Sequence, residues 1–238
     1  MNHREQIIVA LDVQTHEDFM QITHALQGHA TYVKVGMELF YTFGPEAIKH
    51  LKKSKFKIFL DLKLHDIPNT VLKSVKTLCR LGVDMLNVHA AGGSQMLEAA
   101  VAGLKAAQME QPQVKTKLIA VTHLTSVNEQ ILKQEIGIQI ALQESVLQYA
   151  SLAKKAQLDG VVASAQDVMQ IKAELGKNFL CVTPGIRPLG SDGHDQKRIT
   201  TPKDAIKFGS DYLVIGRAIT NSQNPGHSFE EILKEIQA

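Results

Sequence analysis

Lys57-Ile58-Phe59-Leu60-Asp61-Leu62 is a short apolar run of strand type that leads into Lys63. An amphipathic stretch follows at 71–81, its apolar residues three and four apart. A second strand-type run, Met85-Leu86-Asn87-Val88, comes next. Strand, helix, strand is the pattern of a crossover unit joining two parallel strands. The same alternation extends outward in both directions. Further strand-type runs lie at 7–11, 32–35, 118–121, 161–163, 179–182 and 212–215. Amphipathic stretches lie between and after them, among them 16–26, 94–108, 138–155, 166–175 and 228–236. Most of the runs are continuously apolar rather than alternating, as in strands buried on both faces. About eight such units in 238 residues predict an α/β fold of the (β/α)8-barrel type rather than an open doubly wound sheet. No Pro/Ser-rich linker or shift of composition divides the chain, so one domain is expected over residues 1–238.

Composition narrows the function. Hydrophobic residues make up 44% of the chain and charged residues 21%, enough apolar surface to exclude a disordered tail. A net charge of +2 gives no broad basic footprint for nucleic acid or an anionic membrane. Aromatic residues are 5% with no Trp, which argues against a stacking platform for single strands. No apolar run approaches the roughly 20 residues of a membrane span, and no secretory leader is expected. The two cysteines, Cys79 and Cys181, make no disulfide framework and fit a cytoplasmic protein with small buried thiols.

In a barrel of this kind the chemistry belongs at the C-terminal ends of the strands. Asp61-Leu62-Lys63-Leu64-His65-Asp66-Ile67-Pro68-Asn69-Thr70 is the densest such segment. Residues two apart on a strand share a face, so Asp61 and Lys63 project together into the barrel mouth. Asp66 lies past the strand end, free to turn back toward Lys63 or toward a neighbouring subunit. Lys34, on the adjacent strand, supplies a second cation. A lone acid-x-base pair is most often a structural salt bridge. Four charges at two adjacent strand ends on the active face are a different matter, because desolvating them is costly unless they are paired or functional. A lysine between carboxylates is held as the ammonium, which suits a proton donor and does not suit Schiff-base chemistry.

A second signal comes from the last strand, Tyr212-Leu213-Val214-Ile215-Gly216-Arg217. Gly216 lets backbone N–H groups approach an anion, and Arg217 can fork onto its oxygens. Phosphate sites of barrels are often built from the loops after strands seven and eight. The long polar loop 186–199 contains Gly190, Asp192, Gly193, Asp195 and Gln196, the makeup of a lid over such a site.

The ten residues 61–70 resemble the D-x-K-x-x-D-I-P-N-T motif of the orotidine 5′-phosphate decarboxylase family, in its bacterial form. Ala10-Leu11-Asp12, Lys34-Val35-Gly36, residues 121–126, Thr183-Pro184-Gly185-Ile186-Arg187 and Ile215-Gly216-Arg217 follow in the family's order, so the resemblance spans essentially the whole chain. It implies decarboxylation of orotidine 5′-phosphate to UMP, the last step of de novo pyrimidine nucleotide synthesis, without cofactor or metal. It also implies roles for individual residues. Asp12 would bind the ribose hydroxyls. Lys34, Asp61, Lys63 and Asp66 would form a charged array in which Lys63 protonates C6. Asp66, Ile67 and Thr70 would enter the site of the partner in a homodimer. Thr125 and Ser126 would contact the pyrimidine. Arg187, Gln196, Gly216 and Arg217 would hold the phosphate.

Other features are read more plainly. His65, His89 and His123 lie near strand ends without the spacing of a metal set and are expected to be hydrogen-bonded structural histidines. Ser126 has no base partner at a nucleophile elbow. Lys52-Lys53-Ser54-Lys55 reads as a solvated helix end rather than a nucleic-acid patch. Two rival functions share the barrel. A metal-dependent sugar-phosphate decarboxylase or synthase would share Asp-x-Lys-x-x-Asp, but the continuation Ile67-Pro68-Asn69-Thr70 argues against it. A non-catalytic nucleotide-phosphate sensor would have no use for a lysine set between two carboxylates.

Overall fold

Short runs rich in Val, Ile and Leu favour extended backbone, and in parallel array both of their faces must be covered. The computed structural model, which describes residues 2–188 and 200–237, satisfies this by closure. Its strands are β1 (Ile7–Ala10), β2 (Tyr32–Gly36), β3 (Lys57–Leu64), β4 (Met85–His89), β5 (Lys117–Val121), β6 (Gly160–Val162), β7 (Leu180–Thr183) and β8 (Tyr212–Ile215). Each pairs in parallel with the next, and β8 pairs back onto β1, Ile7 opposite Leu213. The chain is therefore the (β/α)8 barrel that the strand-type runs predict, each strand within one or two residues of its run.

The helices are α1 (His3–Gln6), α2 (His16–Leu26), α3 (Met37–Phe43), α4 (Pro45–Lys53), α5 (Pro68–Cys79), α6 (Gly93–Glu110), α7 (Leu142–Lys155), α8 (Ala165–Leu175), α9 (Pro202–Lys207), α10 (Arg217–Thr220) and α11 (Pro225–Gln237). The 71–81 stretch starts three residues earlier than its periodicity implies. Pro68 occupies the first turn of α5, where a missing N–H and a fixed φ are no loss. The 138–155 stretch starts later, at Leu142, because a π-helical turn at Ile131–Glu135 and Gly137 at φ 85° precede it. Lys53 closes α4 and Ser54-Lys55 turn away from it, the helix end expected from their charge.

Side-chain alternation divides the strands into two apolar sets. Val9, Val33, Ile58, Leu60, Leu86, Leu118 and Leu213 face outward and pack on the helices in the larger core cluster. Ile8, Tyr32, Phe59, Met85, Ile119, Val182 and Tyr212 face inward and fill the barrel. Each large aliphatic or aromatic chain so buried contributes roughly 1.5–3 kcal/mol. Three aspartates clamp the base of the barrel. Asp84, Asp159 and Asp211, each just before an even-numbered strand, accept the backbone N–H of Ile58, Leu118 and Cys181 on the preceding strand at 2.9, 2.7 and 2.7 Å. The inward set ends in polar residues at the opposite rim, and that is where the site lies.

Candidate active site

Following the inward face upward from the apolar layers leads from Tyr32 to Lys34, from Phe59 to Asp61 and from Met85 to Asn87. The parity that fills the barrel therefore aims these polar groups into its mouth. Lys34 and Asp61 border a cavity of about 390 Å³, a volume suited to a small-molecule ligand, and Asn87 is fully buried behind Asp61. Of the residues expected at a site, Asp12, Lys34, Asp61, Lys63, Thr125, Ser126, Arg187, Gly216 and Arg217 all line it.

Their charges form a row. Lys34 Nζ stands 3.2 Å from Asp12 Oδ1 and 3.5 Å from Asp61 Oδ2, and Lys63 Nζ donates to Asp61 Oδ1 at 2.7 Å. The order is Asp12, Lys34, Asp61, Lys63. Asp61 is 9% exposed. Burial alone pushes its carboxyl up, but Lys34 and then Lys63, with hydrogen bonds from Lys63 and Asn87, bring it below the ordinary carboxylate range.

Lys63 does not sit on plain strand. Between the pairs Leu60–Leu86 and Leu64–Val88, β3 advances four residues while β4 advances two. The excess is even, so the alternation of faces is preserved across the irregularity. Lys63 takes up the slack at φ 52°. That left-handed backbone costs a non-glycine residue about 1–2 kcal/mol. Its N–H, displaced from the ladder, donates to Asn87 Oδ1 at 2.8 Å, while Asn87 Nδ2 donates to Asp61 Oδ1 at 2.6 Å. Asn87 had one visible signal in the sequence, an amide inside an otherwise apolar run.

The remaining expected residues lie elsewhere. Asp66, Ile67 and Thr70 are exposed at the start of α5 and do not line the cavity of their own chain. Asp66 Oδ1 instead accepts the N–H of Ile67 at 2.7 Å. Within one chain the row thus gains Asp12 at one end, and Asp66 stands apart from the other. Gln196, with Gly190, Asp192, Gly193 and Asp195 of the expected lid, lies outside the described residues.

Across the mouth, Gly185 at φ 79° turns the chain after β7, and Arg187 follows, 8% exposed. The N–H of Arg187 donates to the carbonyl of Thr200. Gly216 ends β8 and precedes α10, whose first residue, Arg217, is exposed at the cavity edge. A Cβ on Gly216 would lie 3.4 Å from Ala10 Cβ and 3.7 Å from Asp12 Oδ2, so β8 and β1 approach closely here. The histidines pack as polar neighbours. His65 and His89 rings are 5.6 Å apart, and His123 Nε2 lies 2.8 Å from Ser145 Oγ. Burial, then the charges of His65 and Lys63, lowers the His89 pKa. Among the described residues no three His, Cys, Asp or Glu side chains are grouped to hold a metal ion. Cys79 and Cys181 are buried, their thiols pushed up to about 11 and about 12 by that burial.

Residues 5–232 match the model of the orotidine 5′-phosphate decarboxylase / HUMPS family. The chain belongs to this family. An orotidine 5′-phosphate decarboxylase of Bacillus mycoides is 47% identical over 97% of both chains. One of Lactococcus lactis subsp. cremoris is 48% identical over 96% of both. The crystal structure of orotidine 5′-phosphate decarboxylase from Lactobacillus acidophilus superposes with a TM-score of 0.87 at 43% identity, covering 98% of this chain and all of that one. As an enzyme of the decarboxylase family, the chain carries its row of charges at the end of the barrel where such folds do chemistry. No helix among the described residues is long and apolar enough to cross a membrane.

Proposed function

We propose that this enzyme decarboxylates orotidine 5′-phosphate to UMP in pyrimidine nucleotide synthesis in the cytoplasm, using its own side chains without metal or organic cofactor. The observation that carries the reading is the Asp12–Lys34–Asp61–Lys63 row in a cavity that Arg187 and Arg217 also line. That arrangement suits a substrate with an anionic tail and a reacting centre where negative charge develops.

The phosphate is held by Arg187, Gly216 and Arg217, with Gln196. Asp12 takes the ribose hydroxyls, and Thr125 and Ser126 meet the pyrimidine. The bond from C6 to the carboxylate breaks and its electron pair stays on C6. Lys63 donates a proton to C6, CO2 leaves, and the lysine is reprotonated from water. Proton donation accounts for about 10²–10⁴-fold, whereas the slowest reactions require enzymes to supply up to roughly 23 kcal/mol. The balance comes from two sources. Fixed charges of Asp61, Lys34 and Lys63 favour the developing carbanion over the ground-state carboxylate. Binding energy at the remote phosphate orients the base.

The site is shared across a homodimer in this reading. Asp66, Ile67 and Thr70 face solvent in one chain, and exposed Met37, Tyr41 and Ile67 supply apolar surface just beyond β2 and β3 for a two-fold partner. The test is incubation of the purified protein with orotidine 5′-phosphate in excess chelator, following loss of substrate absorbance and formation of UMP. Turnover is expected. Turnover of a sugar phosphate only when divalent metal is restored would assign the enzyme to the metal-dependent branch. Tight UMP binding with no turnover would make it a sensor.

A further inference from the structure

Asn87 is fully buried within β4, one layer above Met85, where a polar amide is tolerated only with its hydrogen bonds made. Both of its bonds go to β3, and they run in opposite senses. Nδ2 donates to Asp61 Oδ1 at 2.6 Å, and Oδ1 accepts the backbone N–H of Lys63 at 2.8 Å. The oxygen that Asn87 holds on Asp61 is the one that receives the Lys63 ammonium at 2.7 Å. A closed ring results: amide to Lys63 backbone, along its side chain to the ammonium, to Asp61, and back to the amide. The backbone bond falls where β3 leaves register with β4 and Lys63 stands at φ 52°. In an ordinary strand that N–H would belong to the ladder and would not be free for the amide.

We propose that Asn87 is a positioning residue of the reaction. Its one planar amide fixes both the backbone of Lys63 and the carboxylate of Asp61, and so sets where the ammonium stands against the carbon it protonates. The inference rests on the decarboxylase reading above. It follows from the inventory of side chains: a donor and an acceptor on one rigid plane are offered by Asn and Gln, and Gln is a methylene longer. Without the amide, Lys63 loses the partner that holds its unusual backbone, and Asp61 loses one of the bonds that orients it. Misplacement of a reacting group by about 1 Å costs about 100-fold in rate.

Two variants test this. Asn87→Ala removes both bonds. Asn87→Asp keeps the shape, and its new carboxyl can donate to Asp61 and accept from Lys63 only while protonated. Once ionised it opposes Asp61. The other titratable groups nearby are Lys34 from β2, Asp61 and Lys63 from β3, and His65, His89 and His123 at the rim. All are present in the wild type, whose pH profile is the reference, and the new carboxyl titrates as a coupled set with Asp61 and the two lysines. For Asn87→Ala, kcat is expected to fall about 100-fold. Its UMP affinity, measured by calorimetry, should stay within about twofold, because the phosphate and ribose contacts are remote from the amide. For Asn87→Asp, the kcat ratio should rise as pH is lowered.

Wild-type kcat in a folded Asn87→Ala would overturn the proposal, and so would equal losses of kcat and UMP affinity. Wild-type kcat in Asn87→Asp at a pH where infrared difference spectra show its new carboxyl ionised would do the same, and it decides the matter if Asn87→Ala does not fold. Loss of fold in both variants would mark Asn87 as purely structural. A wild type that binds but does not turn over orotidine 5′-phosphate would sink the decarboxylase reading instead. The crystal structure of a variant would then judge the clamp. Lys63 keeping its positive φ and its contact with Asp61 without the amide would overturn it.

Discussion

Lys34 and Lys63 bracket one carboxylate, and the two arginines line the same cavity. In the proposed function the lysines and Asp61 serve the chemistry and the arginines serve affinity. Arg217 lies at the cavity edge, where the proposed function has it meet the substrate phosphate. A charge-assisted hydrogen bond to a phosphate is worth roughly 1.5–3 kcal/mol. Arg217→Ala should therefore raise KM for orotidine 5′-phosphate and lower kcat/KM by about 10- to 150-fold. The same change should matter little for orotidine, which lacks the phosphate. Steady-state kinetics on both substrates decide it: equal losses would mean that Arg217 acts elsewhere. Asp61 and Lys63 were legible at this scale because strand parity puts i and i+2 on one face. The left-handed turn at Lys63 was not, because it follows from the register of a neighbouring strand.

Between elements, α5 and α6 pack backbone against backbone at a glycine. A Cβ built on Gly103 of α6 would lie 2.3 Å from the backbone carbonyl oxygen of Leu72 in α5. Backbone cannot yield as a side-chain tip can, so the two helices would have to separate. Gly103→Ala should destabilise the protein by about 1–3 kcal/mol despite its better helix propensity. The urea midpoint measures this, and an unchanged or raised midpoint would show that the helices part freely. The consequence reaches the site, since α5 begins at Pro68, directly after Asp66 and Ile67. The amphipathic pattern of 71–81 marks the buried face of α5, with Val71, Val75 and Cys79 inside. It carries no record of how near α6 comes, because glycine leaves no apolar mark in a periodicity.

For the molecule as a whole, an ion pair ties the first helix to the last beside the β1–β8 closure. Arg4 of α1 makes a bidentate pair with Glu230 of α11 at 2.7 and 3.0 Å, and His29 joins at 3.0 Å. The hydrogen bond from Arg4 is the main cause that brings the Glu230 carboxyl down to about 2. A carboxylate with a depressed folded pKa stabilises the fold above its ordinary value of 4.5 and loses that contribution as pH falls toward 2. Wild type should thus lose more stability than Glu230→Gln across that window, read from urea midpoints at each pH. Parallel curves would remove Glu230 from acid stability. The shared site is the second prediction at this scale. Lys63→Ala and Asp66→Asn, each nearly inactive, are mixed through unfolding and refolding. Random pairing makes half the dimers mixed, and each mixed dimer holds one site with both native residues, so activity should recover to about a quarter of wild type. If Asp66 serves its own chain, every site keeps one lesion and mixing restores nothing, with heterodimers verified by mass.

By itself the sequence determined the barrel, since eight apolar runs buried on both faces and separated by amphipathic helices close into that arrangement. It also determined which strand ends carry charge, because Asp61, Lys63, Lys34 and Arg217 sit at fixed offsets from those runs. Helices α3 and α9 are too short for a period to show, and their helicity comes from tertiary packing, α3 against β2 and α4 and α9 against α11. Only the tertiary structure brought Asp12, just past β1, next to Lys34 of β2, residues 22 apart in sequence. It also put Asn87 of β4 beneath the lysine of β3 and left Asp66 outside its own cavity. The reason is physical. Burial pattern and offset are properties of one strand, whereas an ion pair across strands depends on register, and register is set when neighbouring strands pair.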